Sequence, residues 1–219
     1  MKTRDNRAAL LLLTSVVCLL PLIMSIVVYD ELPDQVAIHW DGSGEPDNFV
    51  PKAAAAFGLP FLFLAINLFT KLSLFNDPKR ANTSQVMQIT ATWLPPLLSV
   101  VLIPLTLLIA LGHPIPIAMA VPVLVGLLLV MAGNYLPKSR QNYTLGLKLP
   151  WTLDDPDNWN KTHRLTGYLY IAAGLVLIGG TFALRGTRLV SGLSLTVLIV
   201  IALVVTPRLY SYWLYKRAN

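Results

Sequence analysis

The sequence predicts an all-α integral membrane protein with six transmembrane helices and both termini in the cytoplasm. Three observations carry that prediction. Only 13% of the 219 residues are charged and 55% are hydrophobic, whereas a soluble domain carries about 25% charged residues. Six apolar stretches are each long enough to cross about 30 Å of hydrocarbon, which takes about 20 helical residues. Lys and Arg gather on one side of those stretches, the asymmetry that sets the orientation of helical membrane proteins.

The first span runs from Ala8 to Tyr29. It is too long for the apolar core of a signal peptide, and no small-x-small site ends it. The others are Ala53 to Leu74, Val86 to Leu111, Pro116 to Leu136, Leu165 to Leu184 and Leu189 to Leu209. Each satisfies its own backbone in lipid only as a helix. Asp77-Pro78 and Asp155-Pro156 read as N-caps with proline in the first turn, opening the helices that run into the third and fifth spans. Prolines within spans (Pro21, Pro60, Pro95, Pro96, Pro104, Pro122) imply kinks or local unwinding. Trp93, Tyr135, Trp159, Tyr168, Trp213 and Tyr215 fall near span ends, where amphipathic rings favour the headgroup zone.

Of the 17 Lys and Arg, all but Lys52, Arg185 and Arg188 lie at the termini or in the segments joining spans two to three and four to five. Those regions are therefore cytoplasmic. The net charge of +6 thus records topology rather than a nucleic-acid surface, and no nucleic-acid partner is expected. The lone Cys18 sits inside an apolar run and forms no internal disulfide.

Mid-span positions carry no Asp, Glu, Lys, Arg or His, and Lys71 and Arg208 lie near enough to span ends to snorkel. This weighs against a proton- or ion-coupled transporter, which needs an ionisable group at depth. Asn67, Ser99, Thr106 and Thr181 are the deep polar side chains, and interhelical hydrogen bonding accounts for them.

The loop after the first span gathers Asp30, Glu31, Asp34, Asp41, Glu45 and Asp47. Pro33, Gly42, Gly44, Pro46 and Pro51 break it into turns, so a compact external cap is expected. His39-Trp40-Asp41 puts an imidazole and a carboxylate on one side of an extended segment. Three readings stay open: a His–Asp hydrogen bond that holds the cap, recognition of an external cationic ligand, or a divalent-metal site completed by Asp34, Glu45 and Asp47. No serine or cysteine nucleophile has a base at recognisable spacing and no His-Glu-x-x-His occurs, so neither an enzyme nor a cofactor is expected. His113, in a short outer turn, reads as a capping or interface residue.

The segment from Gly133-Asn134 to Lys161-Thr162-His163-Arg164 alternates apolar residues with basic and amide groups. That pattern lies at the headgroup level. Its Gly-Asn, Asn-x-x-x-Gly, Pro-Trp-Thr-Leu and Trp-x-Lys-Thr-His-Arg-x-x-Gly series resembles the signature of SdpI-type membrane proteins. The matching positions are Gly133, Asn134, Asn142, Gly146, Pro150, Trp151, Thr152, Leu153, Trp159, Lys161, Thr162, His163, Arg164 and Gly167. The Leu-Pro-Asp…His-x-Asp…Gly-x-Pro-Asp loop resembles the uncharacterised domain that often precedes that module. The chain departs from the family at Lys148-Leu149, where an Arg-Thr pair is common; Lys lacks the planar fork with which Arg grips an anion.

The resemblance divides the chain in two. Residues 1–115 form an N-terminal three-helix half with a structured external loop at 30–52. Residues 116–219 form an SdpI-like three-helix module with an interfacial cytoplasmic segment at 137–164. It also implies a protein of the bacterial cytoplasmic membrane that gives immunity to a secreted, membrane-active peptide toxin, by binding it or opposing its damage. Asp34, Asp41, Glu45 and Asp47 would attract cationic groups beside His39, with Trp40 as an aromatic anchor. Asn134, Asn142, Gly146, Pro150, Trp151, Thr152, Trp159, Lys161, Thr162, His163 and Arg164 would hold the inner face or engage a cytoplasmic regulator. Membrane lipids are partners on any reading. Two rivals stand beside this one: a lipid-handling or small-molecule transport protein, and a metal-dependent membrane enzyme using His39 and Asp41.

Overall fold

The computed structural model describes residues 2–41, 44–183 and 192–218. The described chain is mostly helical, and five of its helices are long and apolar enough to cross a membrane: Arg7–Glu31, Ala54–Asn76, Gln85–Ala110, Ile117–Lys138 and Pro156–Ala183. A further long helix, α8 (Gly192–Ala218), covers most of the predicted sixth span. The start of that span, and the loop with Arg185 and Arg188, lie outside the described residues. The chain forms two compact units, residues 1–40, 45–76 and 88–115, and residues 41–44, 77–87 and 116–219.

In the first unit the opening span is broken into α1 (Lys2–Leu19) and α2 (Pro21–Val28), and α3 (Leu59–Asn76) and α4 (Gln85–Ala110) follow. The break falls at Pro21, whose ring cannot donate to the helix ladder. Beside it, the Cys18 carbonyl accepts a hydrogen bond from Ser99 Oγ of α4 at 2.7 Å. Before Pro60 the chain takes a π-turn, Ala54–Gly58, which absorbs the clash a proline makes with the preceding turn. Asn67 Nδ2 reaches from α3 to Thr14 Oγ1 and Ser15 Oγ of α1, at 3.2 Å each. Asn67 and Ser99 thus bridge helices, as polar side chains in lipid often do. Thr181 instead bonds the Leu177 carbonyl of its own helix.

One expectation about this unit is overturned. Lys71, expected to snorkel to the headgroups, is 1% exposed, and its Nζ has no hydrogen-bond partner among the described residues. It lies one turn beyond Asn67 on the buried face of α3, so position near a span end was a poor guide to the side its chain takes.

The acidic loop is more ordered than turns alone predict, and it departs from an all-helical chain. Strands β1 (Gln35–Trp40) and β2 (Pro46–Pro51) pair antiparallel, with Val36 opposite Val50 and Ala37 opposite Phe49. The β-branched and aromatic residues at these positions suit a pleated surface, and Pro46 and Pro51 sit at strand ends, where no ladder donor is needed. Val36 is buried. Leu32, just before β1, packs with Ala56, Ile103 and Leu107 in the unit's core.

In the second unit α5 (Ile117–Tyr135) runs antiparallel to α7 (Pro156–Ala183). Two pairs of glycines set their approach. A Cβ on Gly133 would fall 2.6 Å from the Gly167 carbonyl oxygen, and one on Gly126 would fall 2.8 Å from that of Gly174. Within each helix the two rungs are seven residues apart, two turns of one face, and small residues there let backbones touch.

The two predicted Asp-Pro caps differ. Asp155 Oδ1 accepts the Asp157 N–H at 2.8 Å as α7 opens at Pro156, as expected. Asp77 accepts the Lys79 N–H at 2.8 Å, but only a 3-10 turn, Arg80–Asn82, follows. The next helix opens at Gln85, where Ser84 Oγ accepts the Met87 N–H at 3.3 Å. The second carboxylate oxygen of Asp77 is spent elsewhere, as the site shows.

Candidate functional site

Within the second unit, residues 139–149 form an irregular strap closed by the short helix α6 (Pro150–Asp154) and the first turns of α7. A strap without regular structure has backbone groups that need partners, and here side chains supply them. Asn142 Oδ1 accepts the N–H groups of Thr144 and Leu145 at 3.0 and 2.7 Å, while its Nδ2 donates to Ser139 Oγ and the Arg140 carbonyl. Asp77 Oδ2 accepts the Tyr143 N–H at 2.9 Å and the Thr144 hydroxyl at 2.7 Å. Gln141 Nε2 donates to the Thr152 and Leu153 carbonyls, its Oε1 accepts from Lys79 Nζ, and its own carbonyl accepts from Asn82.

Trp159 and His163 form the floor. Both are 0% exposed, and their rings stack with centroids 3.9 Å apart. Trp159 Nε1 donates to the Ser139 carbonyl at 2.8 Å. His163 Nδ1 lies 2.8 Å from the Trp159 carbonyl oxygen, which only accepts, so Nδ1 carries the proton. Nε2 then accepts the Leu147 N–H at 2.9 Å. Both ring nitrogens are satisfied in the neutral imidazole, so His163 is a positioning residue for the strap. Gly146, at φ +107°, passes over this ring so closely that a Cβ would overlap Nε2; only glycine fits both the angle and the space.

Pro150 and Thr152 turn the strap into α6. Leu149, just before the proline, is extended as sterics require. Thr152 Oγ1 accepts the Leu149 N–H at 2.9 Å and donates to the Leu147 carbonyl at 2.8 Å. Trp151 packs against Tyr212 and Tyr215 of α8, with centroids 5.4 and 6.1 Å away. Thr162 Oγ1 donates to Asn158 Oδ1 at 3.0 Å.

The sequence-predicted residues thus divide. Asn142, Gly146, Pro150, Trp151, Thr152, Trp159, Thr162 and His163 come together around the strap. Lys161 and Arg164 face outward on α7: Lys161 pairs with Asp157 at 2.7 Å, and Arg164 donates to Tyr168 at 3.3 Å. Asn134 is exposed on α5, where it accepts from Lys138 at 3.3 Å, apart from the strap. Asp77, Gln141, Asn158 and Ser211 belong to the network and were not anticipated. Asn158, Thr162 and Thr166 recur every four residues, a buried polar stripe legible in the sequence. Asp77 meets Tyr143 and Thr144, and Gln141 meets Lys79, across 66, 67 and 62 positions of chain, and no periodicity reports such meetings.

In the first unit the hairpin places the other predicted residues. His39 Nδ1 hydrogen-bonds Asp47 Oδ1 across the strands, with both side chains exposed. The His–Asp hydrogen bond of this loop is thus made to Asp47. The register shifts around His39 break the simple alternation that would put His39 and Asp41 on one side. Asp34 lies 3.7 Å from Lys52 Nζ, and its carbonyl accepts the Lys52 N–H at 3.0 Å. Trp40 is half-buried and Glu45 and Asp47 are exposed; Asp41, which falls in the second unit, is exposed. Phe49 on β2 is 49% exposed, an apolar ring beside the acids that the sequence did not single out. Among the described residues, no three His, Cys, Asp or Glu side chains cluster as a metal site needs.

Long apolar helices, glycine-tight packing and a polar strap tied down at their ends define a multi-pass helical membrane protein. Residues 138–211 match the SdpI/YfhL protein family, and residues 16–64 match a domain of unknown function, DUF1648. The chain is 30% identical over 205 residues to Immunity protein SdpI of Bacillus subtilis (strain 168), covering 93% of this chain and 94% of that one. It belongs to the SdpI family of membrane immunity proteins. No solved structure matches it.

Proposed function

We propose that this chain, sited in the bacterial cytoplasmic membrane, protects its cell against a secreted membrane-active peptide by binding that peptide at the hairpin. The observation that carries this reading is identity to an immunity protein along nearly the whole chain, 16–64 and 138–211 included. With the termini cytoplasmic, the hairpin faces outward and meets the peptide first. Asp34, Asp41, Glu45 and Asp47 draw in its cationic groups, while Phe49 and the half-buried Trp40 receive apolar ones. His39, bonded to Asp47, holds the hairpin's shape.

The strap faces the cytoplasm on the same reading. Its buried residues fix the backbone and leave Lys161 and Arg164 displayed to lipid headgroups or a cytoplasmic regulator. The protein works by binding, with no catalytic step.

Survival of a toxin-sensitive bacterium expressing the chain tests this. Wild type should protect against an SdpI-type killing peptide. A variant with Asp34, Asp41, Glu45 and Asp47 changed to Asn or Gln should protect less at matched membrane abundance. Full protection by that variant would move recognition away from the hairpin, and none by abundant wild type would remove the immunity reading for that peptide.

A further inference from the structure

One cleft in the second unit lies outside the strap and shares only Lys161 with the family motif. It has a volume of about 410 Å³ and lies between the first turns of α7 and the last turns of α8. Asp155, Asp157 and Lys161 form one wall, and Tyr210, Trp213 and Arg217 the other. We propose that this cleft binds the headgroup of a zwitterionic phospholipid bearing a primary ammonium, with the phosphodiester at Arg217 and the ammonium at Asp155 and Asp157.

Depth argues for a lipid. The end of α8 carries Tyr210, Tyr212, Trp213 and Tyr215, followed directly by Lys216 and Arg217. Tyr212, Trp213 and Tyr215 are exposed. Aromatic rings beside cations at the end of an apolar helix sit at the headgroup level. A cleft opening between two such helix ends meets headgroups before it meets anything dissolved in the cytoplasm.

Charge argues for a zwitterion. The lining holds two carboxylates, one ammonium and one guanidinium. A purely anionic headgroup would sit against both carboxylates, whereas a phosphodiester with a tethered ammonium matches each wall. The guanidinium of Arg217 lies 4.0 Å from the centre of the Trp213 ring and has no salt-bridge partner among the described residues. Stacked there, its planar fork keeps its donors for a phosphate. Lys161, by contrast, is held on Asp157 at 2.7 Å.

The ammonium side follows from hydrogen bonding. One Asp155 oxygen caps α7 through the Asp157 N–H, and a carboxylate accepts several bonds at once. A primary ammonium donates three such bonds, whereas a trimethylammonium donates none.

The experiment is native mass spectrometry of the full chain, released from nanodiscs with equal phosphatidylethanolamine, phosphatidylglycerol and phosphatidylcholine of identical acyl chains. Wild type should retain one phosphatidylethanolamine in preference to the other two. Arg217→Met keeps a side chain on Trp213, and Asp155→Asn keeps the cap. Each should lower that retention about tenfold, the loss expected for one hydrogen bond to a charged group. Arg217→Lys, which keeps the charge without the fork, should fall between and decides the matter if Arg217→Met does not fold. Retention of phosphatidylglycerol equal to phosphatidylethanolamine would overturn the ammonium subsite, as would equal retention of phosphatidylcholine. An unchanged preference in the variants would overturn the location. Competition by glycerophosphoethanolamine at the lipid's own concentration would overturn the assignment to a membrane ligand.

Discussion

Asn158 and Ser211 exchange two hydrogen bonds: Asn158 Nδ2 donates to the Ser211 carbonyl at 2.9 Å, and Ser211 Oγ donates to Asn158 Oδ1 at 2.7 Å. Both residues are buried, and Thr162 adds a third bond to the same amide oxygen. The pair clips α7 to α8 next to a proline, Pro207, which removes a ladder donor from α8. Asn158→Ala strands a serine hydroxyl and a carbonyl and should cost about 1–3 kcal/mol. A double-mutant cycle with Ser211→Ala should give a coupling of about 1 kcal/mol. Reversible unfolding in mixed micelles measures both, and a coupling near zero would mean that water replaces the partner.

Gly146 is the tightest point of the strap. Gly146→Ala places a Cβ at a positive φ and against His163, so the loss should be about 2 kcal/mol or more. Gly179→Ala is the control, since nothing lies within 4 Å of a Cβ there and alanine is the better helix former. Gly146→Ala should also expose the strap to limited proteolysis near Tyr143, which is already at the surface. Equal stability of the two variants would show that the strap moves aside at no cost.

The tautomer of His163 gives a second, spectroscopic test of the same contact. Nitrogen chemical shifts should report a protonated Nδ1 and a bare Nε2, because Nε2 accepts from Leu147. The opposite tautomer would mean that this backbone bond is not made.

The helices were legible because each is written as one long apolar run, a local signal that needs no knowledge of partners. Their caps were half legible: Asp155 caps its helix, while Asp77 spends an oxygen on Tyr143 and Thr144, 66 and 67 residues on. The strands of the hairpin were missed because each is six residues long with a shifted register, too short and irregular for a clear alternation. The strap residues were legible as a motif by resemblance, but their work was not. Whether a histidine displays its ring or buries it on a tryptophan depends on long-range packing, and here it is buried.

Lys71 is a place among the described residues where burial argues against stability. Its ammonium sits without a hydrogen-bond partner among the described residues, and an uncompensated buried charge costs several kcal/mol. Lys71→Met keeps the length of the side chain and removes the charge, so it should stabilise the protein by about 1–4 kcal/mol. Thermal unfolding in detergent measures this. A less stable variant would show that the ammonium has a partner under those conditions. A more stable variant that fails to protect cells would place Lys71 in function.

Orientation underlies the proposed roles of both the hairpin and the strap, and single cysteines test it. Ser139 is a poor probe, since it is buried and its hydroxyl accepts from Asn142. Asn48 on β2 and Lys148 in the strap are exposed, and the native Cys18 is buried enough to give little background. In intact cells a membrane-impermeant maleimide should modify Asn48→Cys and leave Lys148→Cys untouched until the membrane is permeabilised. Reversed labelling would turn the acidic hairpin inward, and a secreted peptide would then first meet Lys161 and Arg164 instead.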